Sequence, residues 1–232
     1  MTPKTQPRVH FSFRSPFSWL AITVLRRRVP DLDDRVTFVP FWNPDAVTEA
    51  ALRERGAELH YAPMSKAKHL YILHDTKRQA ARVGVPMRWP IDDDPWWELP
   101  HLAWLAARRA GRARQFYEAA CAARWERGED ICTVEAVERI AREAGLDPGP
   151  AARATDDPLI RAEAVDCLEQ AYHDDIFGIP YFRVGRHRFW GLDRVDDFVA
   201  ELEHPTPVRR PAPAGAARRI GAYDTDTAGG CG

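Results

Sequence analysis

Two serines lie three residues apart at the start of a predicted helix. Ser15 and Ser18 occur in residues 13–21, which read F-R-S-P-F-S-W-L-A. Ser15 directly precedes Pro16, a pair typical of a helix N-cap followed by the first helical position. Because a helix N-terminus favours an anion, the Ser15 hydroxyl could donate a hydrogen bond to the thiolate of a bound thiol compound. The alternative is that Ser15 only caps the helix.

A second candidate segment, residues 177–182, reads F-G-I-P-Y-F and leads into a predicted strand. A cis bond before Pro180 would expose the backbone of Ile179, which could then pair with an extended, peptide-like ligand. Cis bonds are a minority even before proline, so the sequence alone does not fix the isomer.

A third segment, residues 189–194, reads F-W-G-L-D-R at the junction of a predicted strand and the last predicted helix. Asp193 has two interpretations. It either caps that helix, or it holds the charged amino end of a ligand together with nearby amides.

The four cysteines are Cys121, Cys132, Cys167 and Cys231. None belongs to a C-x-x-C pair, and the histidines near them lack the spacing of a zinc site. We therefore expect reduced thiols and no metal. Serines cannot carry out thiol–disulfide exchange, so the pair Ser15 and Ser18 disfavours a dithiol oxidoreductase.

Hydrophobic periodicity predicts the elements that must position these residues. Strands are predicted at residues 9–13, 36–41, 180–184 and 188–190. Helices are predicted at residues 16–28 and 194–202, and one capped by Thr133 runs to Ala144. The order is therefore β-α-β, a helical block, and β-β-α.

The first and last parts of the chain must pair to make an adequate sheet. This predicts an α/β fold in which residues 8–45 and 172–204 form one discontinuous domain. Residues 46–171 would form a helical insertion domain, and residues 205–232, rich in Pro, Ala, Gly and Arg, a disordered tail.

Composition excludes several classes of function. The chain has 232 residues and is 45% hydrophobic, enough for a packed core. Its net charge of −1 gives no overall attraction to nucleic acid or anionic membranes. Residues 1–8 lack the apolar centre of a secretory signal, and no run approaches the ~20 apolar residues of a membrane span. We expect a cytoplasmic protein with a small-molecule substrate and no nucleic-acid or membrane partner.

The segments S-P-F-S-W-L-A, F-G-I-P-Y-F and R-F-W-G-L-D-R together resemble the 2-hydroxychromene-2-carboxylate isomerase family, which is close to kappa-class glutathione transferases within the wider DsbA-like group. The middle of the chain also resembles the family pattern, at Lys68, Tyr71, Asp75, Arg78, Gly84, Pro86, Pro90, Trp125, Gly128 and Ile131. The resemblance covers residues 9–203.

This resemblance implies a thioredoxin-like fold with a large all-helical insertion, a homodimer, and glutathione or another low-molecular-weight thiol as cofactor. Ser15 would face the sulfur, and Lys68 would approach a glutathione carboxylate. Ile179 and Pro180 would bind the glutathione backbone, and Asp193 its amino end. Leu192 stands at a cofactor-binding position where the family often has asparagine, which would loosen cofactor recognition.

The implied reaction is a reversible isomerisation of a conjugated, aromatic carbonyl acid by thiolate addition and departure, in aromatic catabolism or natural-product tailoring. Arg14, beside the serine, is a candidate for binding a substrate carboxylate, with a solvent-exposed position as the alternative. Trp42 and Tyr61 are further candidate substrate contacts, with core or surface roles as the alternative.

Two other functions share these features. A kappa-like glutathione transferase would use every motif but release the thiol adduct. A cysteine-less DsbA-like binding protein would need no cofactor, and the leucine at position 192 favours it.

Overall fold

Four strands form one mixed sheet in the part of the chain that the structure describes. In this computed structural model, residues 6–59 and 64–206 are described. The strands are β1 (Arg8–Phe11), β2 (Thr37–Pro40), β3 (Tyr181–Val184) and β4 (His187–Trp190). Their order across the sheet is β2-β1-β3-β4, with β1 parallel to β2 and antiparallel to β3. The predicted pairing of the first and last parts of the chain is confirmed.

Helices fill the described chain between β2 and β3 and flank the sheet. They are α1 (Pro16–Arg28), α2 (Leu32–Arg35), α3 (Ala46–Glu54), α4 (Lys66–Val83), α5 (Glu98–Arg109), α6 (Ala113–Cys121), α7 (Val134–Glu143), α8 (Pro148–Ala152), α9 (Pro158–His173) and α10 (Val195–Glu203). A π-helical turn, Ala122–Glu126, follows α6, and a 3-10 turn, Leu192–Arg194, precedes α10. None of the described helices is both long and apolar enough to cross a membrane.

Side-chain caps explain where several helices begin. The Thr133 hydroxyl accepts from the Ala136 amide at 3.2 Å, so α7 starts at the predicted cap. Helix α1 likewise begins at Pro16, directly after Ser15. The alternative role of Asp193 as a helix cap is wrong, because α10 starts after a 3-10 turn and its N-cap position is Arg194.

One continuous hydrophobic core joins the sheet to the helical block. The ring of Phe11 in β1 lies 5.0 Å from that of Trp104 in α5 and 5.2 Å from that of Tyr117 in α6. On the same face of the sheet, where Phe182 in β3 pairs with Val9 in β1, the Phe182 ring stacks on that of Phe198 in α10 at 4.9 Å. The division into a sheet domain and a helical domain stays a prediction.

Thr206, the second residue of the predicted tail, is hydrogen-bonded to α10. The Thr206 amide donates to the Glu201 carboxylate at 2.8 Å, and its hydroxyl donates to the same group at 2.7 Å. The remainder of the predicted tail, residues 207–232, lies outside the described residues, as does Cys231.

Candidate active site

Hydrogen bonds fix the turn between β1 and α1. The Ser15 amide donates to the Ser12 carbonyl at 3.1 Å, and the Arg14 amide donates to the Ser12 hydroxyl at 3.3 Å. The buried Ser18 hydroxyl accepts from the Ser12 amide at 3.3 Å. These three bonds use atoms of the turn itself and of the first turn of α1, and they present Ser15 at the start of α1.

The Ser15 hydroxyl lies between the helix and a neighbouring loop. Its oxygen accepts from the Ser18 amide at 3.2 Å, which confirms the predicted N-cap. As a donor it faces the Ile179 carbonyl at 3.5 Å, the outer limit of a hydrogen bond. Its proton is thus only weakly held, and Ser15 itself is half-buried.

The loop facing Ser15 contains a cis peptide bond between Ile179 and Pro180. Pro180 is buried, whereas Ile179 is half-buried. The indole of Trp190 closes over Gly178, where an added Cβ would lie 2.5 Å from the indole nitrogen. Phe177, 68% exposed, lies 5.0 Å from the Trp190 ring, so an aromatic surface borders the loop.

The segment after β4 is tied to the same loop. The Gly191 amide donates to the Pro180 carbonyl at 3.0 Å. The exposed Asp193 carboxylate lies over Gly191, where an added Cβ would be 2.6 Å from Asp193 Oδ1. Leu192 is half-buried and packs against the core. Three predicted segments therefore converge: the serine turn, the cis-proline loop and the Gly191–Asp193 segment.

Lys68 is exposed in the first turn of α4, which packs against α1. A row of rings runs from its neighbour His69 to α1. His69 lies 6.3 Å from Trp89, Trp89 lies 5.7 Å from Trp125, and Trp125 stacks on Trp19 at 6.2 Å. This row places the start of α4 beside the same end of α1 as the serine turn.

A family model for DSBA-like thioredoxin domains matches residues 8–203. A 2-hydroxychromene-2-carboxylate isomerase from Sphingobium xenophagum is 30% identical over 192 residues, covering 81% of this chain and 92% of that protein. The chain belongs to the 2-hydroxychromene-2-carboxylate isomerase family of DsbA-like thioredoxin proteins. Membership confirms the predicted class of enzyme, an isomerase, and the family recognised from the three segments.

Solved structures confirm the thioredoxin-like fold. A structure of a 2-hydroxychromene-2-carboxylate isomerase matches with a TM-score of 0.67 and 19% identity, covering 85% of this chain and 94% of that one. The cytosolic disulfide reductase DsbM from Pseudomonas aeruginosa, solved with GSH, matches with a TM-score of 0.56 and 17% identity, covering 85% and 96%.

The described cysteines form no disulfide and lie away from the serine turn in the sequence. Cys121, Cys132 and Cys167 are free and buried. Burial raises the pKa of the Cys167 thiol to about 11 and that of Cys121 to about 12. These thiols therefore stay protonated at neutral pH, and the serine turn carries no thiol of its own.

The predicted substrate contacts have different placements. Arg14 is exposed next to Ser15, and Tyr61 lies outside the described residues. Trp42 is only 3% exposed, and its indole nitrogen donates to the buried Glu98 carboxylate at 2.7 Å. This placement argues against a direct substrate contact by Trp42, because its polar atom is already bonded inside the core.

Sequence reasoning missed His101, a fully buried histidine of α5. Its Nε2 accepts from the Phe13 amide at 3.2 Å, and its ring stacks on Trp42 at 5.1 Å. A single histidine in the apolar stretch L-P-H-L-A-W carries no spacing signal, since its partner lies 88 residues away.

Proposed function

We propose that the protein is a glutathione-dependent isomerase of conjugated, aromatic carbonyl acids of the 2-hydroxychromene-2-carboxylate class. The name of the 30% identical relative supports the substrate class. The observation that carries the thiol dependence is the Ser15 hydroxyl, held at the N-terminus of α1 and 3.5 Å from the Ile179 carbonyl of the cis-proline loop.

The residues present fit an anionic sulfur. The weakly held proton of Ser15 can turn from the Ile179 carbonyl to a stronger acceptor. The first turn of α1 contains no acidic residue, so no carboxylate opposes an anion at this helix end. The DsbM structure that was solved with GSH has the same fold, which supports glutathione as the thiol that this chain would bind.

The protein's part in the reaction is to bind and to orient. Ile179 would hold the peptide-like backbone of the thiol, Asp193 its amino group and Lys68 a carboxylate, while Arg14 would bind the substrate carboxylate. A bound thiolate would supply a nucleophile that can add reversibly to the conjugated double bond of the substrate and thereby permit rotation about that bond. Ser15 keeps the sulfur deprotonated through its hydrogen bond.

Cysteine placement supports this proposal over redox chemistry. The described cysteines are buried and unpaired, and Ser15 and Ser18 occupy the turn. A net isomerisation consumes neither oxidant nor reductant, so it needs no redox-active protein thiol. Unpaired cysteines are also typical of a reducing compartment, and we propose a cytoplasmic location.

Isothermal calorimetry of glutathione with wild type and Ser15→Ala tests the thiol site. Loss of one charge-assisted hydrogen bond should raise the Kd about tenfold or more and weaken the proton release that accompanies thiolate formation. Thr133→Ala is the matched control, since it also removes an N-cap bond of 3.2 Å but in α7. Equal glutathione binding by wild type and Ser15→Ala would contradict the proposed role of Ser15.

A further inference from the structure

We propose that His101 is a positioning residue for this site. Its Nε2 accepts a hydrogen bond from the Phe13 amide and thereby holds the turn that presents Ser15. The inference rests on the proposed function for the role of Ser15, whereas the contact itself is independent of any ligand.

The importance of His101 follows from the hydrogen-bond acceptors of the backbone amides in the turn. The amides of Ser12, Arg14 and Ser15 are satisfied by atoms of the turn itself or of the first turn of α1. The Phe13 amide is the one among these four whose acceptor, His101 Nε2, comes from a distant element. A buried amide without an acceptor is costly, so this bond fixes the turn relative to α5.

The two contacts of the imidazole fix its tautomer. Nδ1 lies 2.6 Å from the Trp97 carbonyl, which can only accept, so Nδ1 carries the proton. Nε2 lies 3.2 Å from the Phe13 amide, which can only donate, so Nε2 presents a lone pair. The Ser12 hydroxyl, 3.4 Å from Nε2, can donate to the same nitrogen while it accepts from the Arg14 amide.

Packing fixes the plane of the ring. The His101 imidazole lies between the Trp42 indole, stacked at 5.1 Å and 15°, and the Phe13 ring, at 5.1 Å and 52°. Trp42 is itself held by Glu98, whose carboxylate also accepts from the Asp45 amide at 2.9 Å. The acceptor, Nε2 of His101, is therefore held against the turn by contacts that involve α5 and the residues before α3.

Burial keeps the imidazole in its neutral form. His101 is fully buried, and burial, with a smaller effect of the nearby Arg124, lowers its pKa to about 3. The lone pair on Nε2 is therefore retained throughout the neutral pH range. A protonated ring would turn this acceptor into a donor facing the Phe13 amide.

The ligand-independent test is NMR of the described contact. In wild type, the imidazole nitrogens should show a protonated Nδ1 and an unprotonated Nε2 without titration between about pH 5 and 8. In His101→Leu, the Phe13 amide should exchange about tenfold faster, whereas His101→Gln, which keeps an acceptor near the Nε2 position, should exchange within about twofold of wild type. Leu102→Ala, a buried cavity substitution on the same helix, is the matched control and should leave Phe13 unchanged.

If His101→Leu does not fold, the NMR spectrum of the wild-type imidazole nitrogens still tests the proposal. An Nε2-protonated or titrating imidazole would overturn the proposal. So would Phe13 exchange that is the same in His101→Leu and Leu102→Ala.

A double-mutant cycle on glutathione affinity tests the effect on Ser15. In wild type, Ser15→Ala should raise the Kd about tenfold or more, but in the His101→Leu background the same change should cost less than about twofold. A purely structural role would leave the Ser15→Ala factor unchanged and would overturn the positioning role. If wild type does not bind glutathione at all, the proposed function fails, while the NMR arm still decides whether His101 holds the turn.

Discussion

At the residue scale, the candidate site depends on the Ser15 hydroxyl at the start of α1. The Ser15 hydroxyl both caps α1 and keeps a weakly held proton toward the cis-proline loop. It cannot become the nucleophile of disulfide exchange, but it can stabilise the sulfur of another molecule. Cap and donor are therefore compatible roles, although the sequence presents them as alternatives.

Close packing at Gly178 leads to a residue-scale prediction. Gly178→Ala would place a methyl group 2.5 Å from the Trp190 indole nitrogen, so the indole must move away from the cis-proline loop. We expect a loss of about 1–3 kcal/mol in the free energy of unfolding and a shift in tryptophan fluorescence. Gly149→Ala is the control, because its nearest neighbour, 3.1 Å away, is the flexible end of Arg153. Equal stability of the two variants would contradict close packing at Gly178.

At the element scale, a buried carboxylate links three helices to the end of β2. Glu98 of α5 accepts from Trp42 at 2.7 Å, from the Asp45 amide at 2.9 Å and from the Thr48 hydroxyl of α3 at 2.5 Å. Arg161 of α9 lies 3.4 Å from the same carboxylate. This cluster holds α3, α5 and α9 around Trp42, the residue on which the His101 ring stacks.

Removing this carboxylate should be strongly destabilising. Glu98→Ala leaves the Trp42 indole, the Thr48 hydroxyl and the Asp45 amide without this acceptor, although Arg161 keeps its ion pair with Asp45. We therefore expect the free energy of unfolding, measured in urea, to fall by about 3–5 kcal/mol. Glu49→Ala, which removes the exposed ion pair with Arg53, should cost less than about 0.5 kcal/mol. A loss below about 1 kcal/mol for Glu98→Ala would show that the cluster does not hold the helices together.

Helix bounds were predicted well where the capping residue and the apolar spacing lie within the helix or directly before it. The bounds of α1 follow from Ser15, Pro16 and the apolar spacing, and Thr133 marks the start of α7. Strands β2 and β3 are shorter than predicted, β1 begins one residue earlier and ends two residues earlier, and β4 begins one residue earlier than predicted. A 3-10 turn, closed by the Arg194 amide donating to the Gly191 carbonyl at 3.2 Å, keeps Asp193 out of the capping position that was one of its two interpretations.

The pairing of the first and last parts of the chain could be predicted, but individual side-chain contacts over long sequence distances could not. The convergence of the Ser15 turn with Ile179 could be expected only from the family resemblance, because 164 residues separate the two. Glu98 reads as an ordinary charged residue at the start of a helix, and Trp42 as an aromatic residue near the site. Their mutual burial depends on the bond between the Trp42 indole and the Glu98 carboxylate, 56 residues apart, which no local pattern encodes.

At the scale of the whole molecule, two buried histidines make the stability depend on pH. Burial lowers the pKa of both His10 and His101 to about 3. For His10, the positive charges of Arg8 and Arg183 lower it further and outweigh Asp174, whose carboxylate lies 3.4 Å away. The folded protein therefore leaves both rings neutral where the unfolded chain would protonate them.

The sign of the pH effect follows from proton binding. Below the ordinary histidine pKa of 6.5, the unfolded chain binds more protons than the folded one, so the free energy of unfolding falls as the pH drops from there toward 3. The slope is at most about 1.4 kcal/mol per pH unit for each histidine. Urea unfolding at about pH 7.5, 6.5 and 5.5 measures how the free energy of unfolding changes with pH. We expect His101→Leu to remove about half of this slope. An unchanged slope in that variant would contradict the buried neutral state of His101.

At this scale we propose that the protein uses a thiol as a cofactor without consuming it. The described fold, the serine turn and the 30% identical relative all support an isomerase rather than an oxidoreductase. A transferase with the same site would differ in its product, because it would release a thioether adduct.

The most direct measurement is an isomerisation assay on 2-hydroxychromene-2-carboxylate with and without glutathione, with the products identified by mass. We predict conversion that requires glutathione, leaves its total concentration unchanged and is slowed about tenfold or more in Ser15→Ala. Conversion at the same rate without any thiol, or accumulation of a glutathione adduct in place of the isomer, would contradict the account.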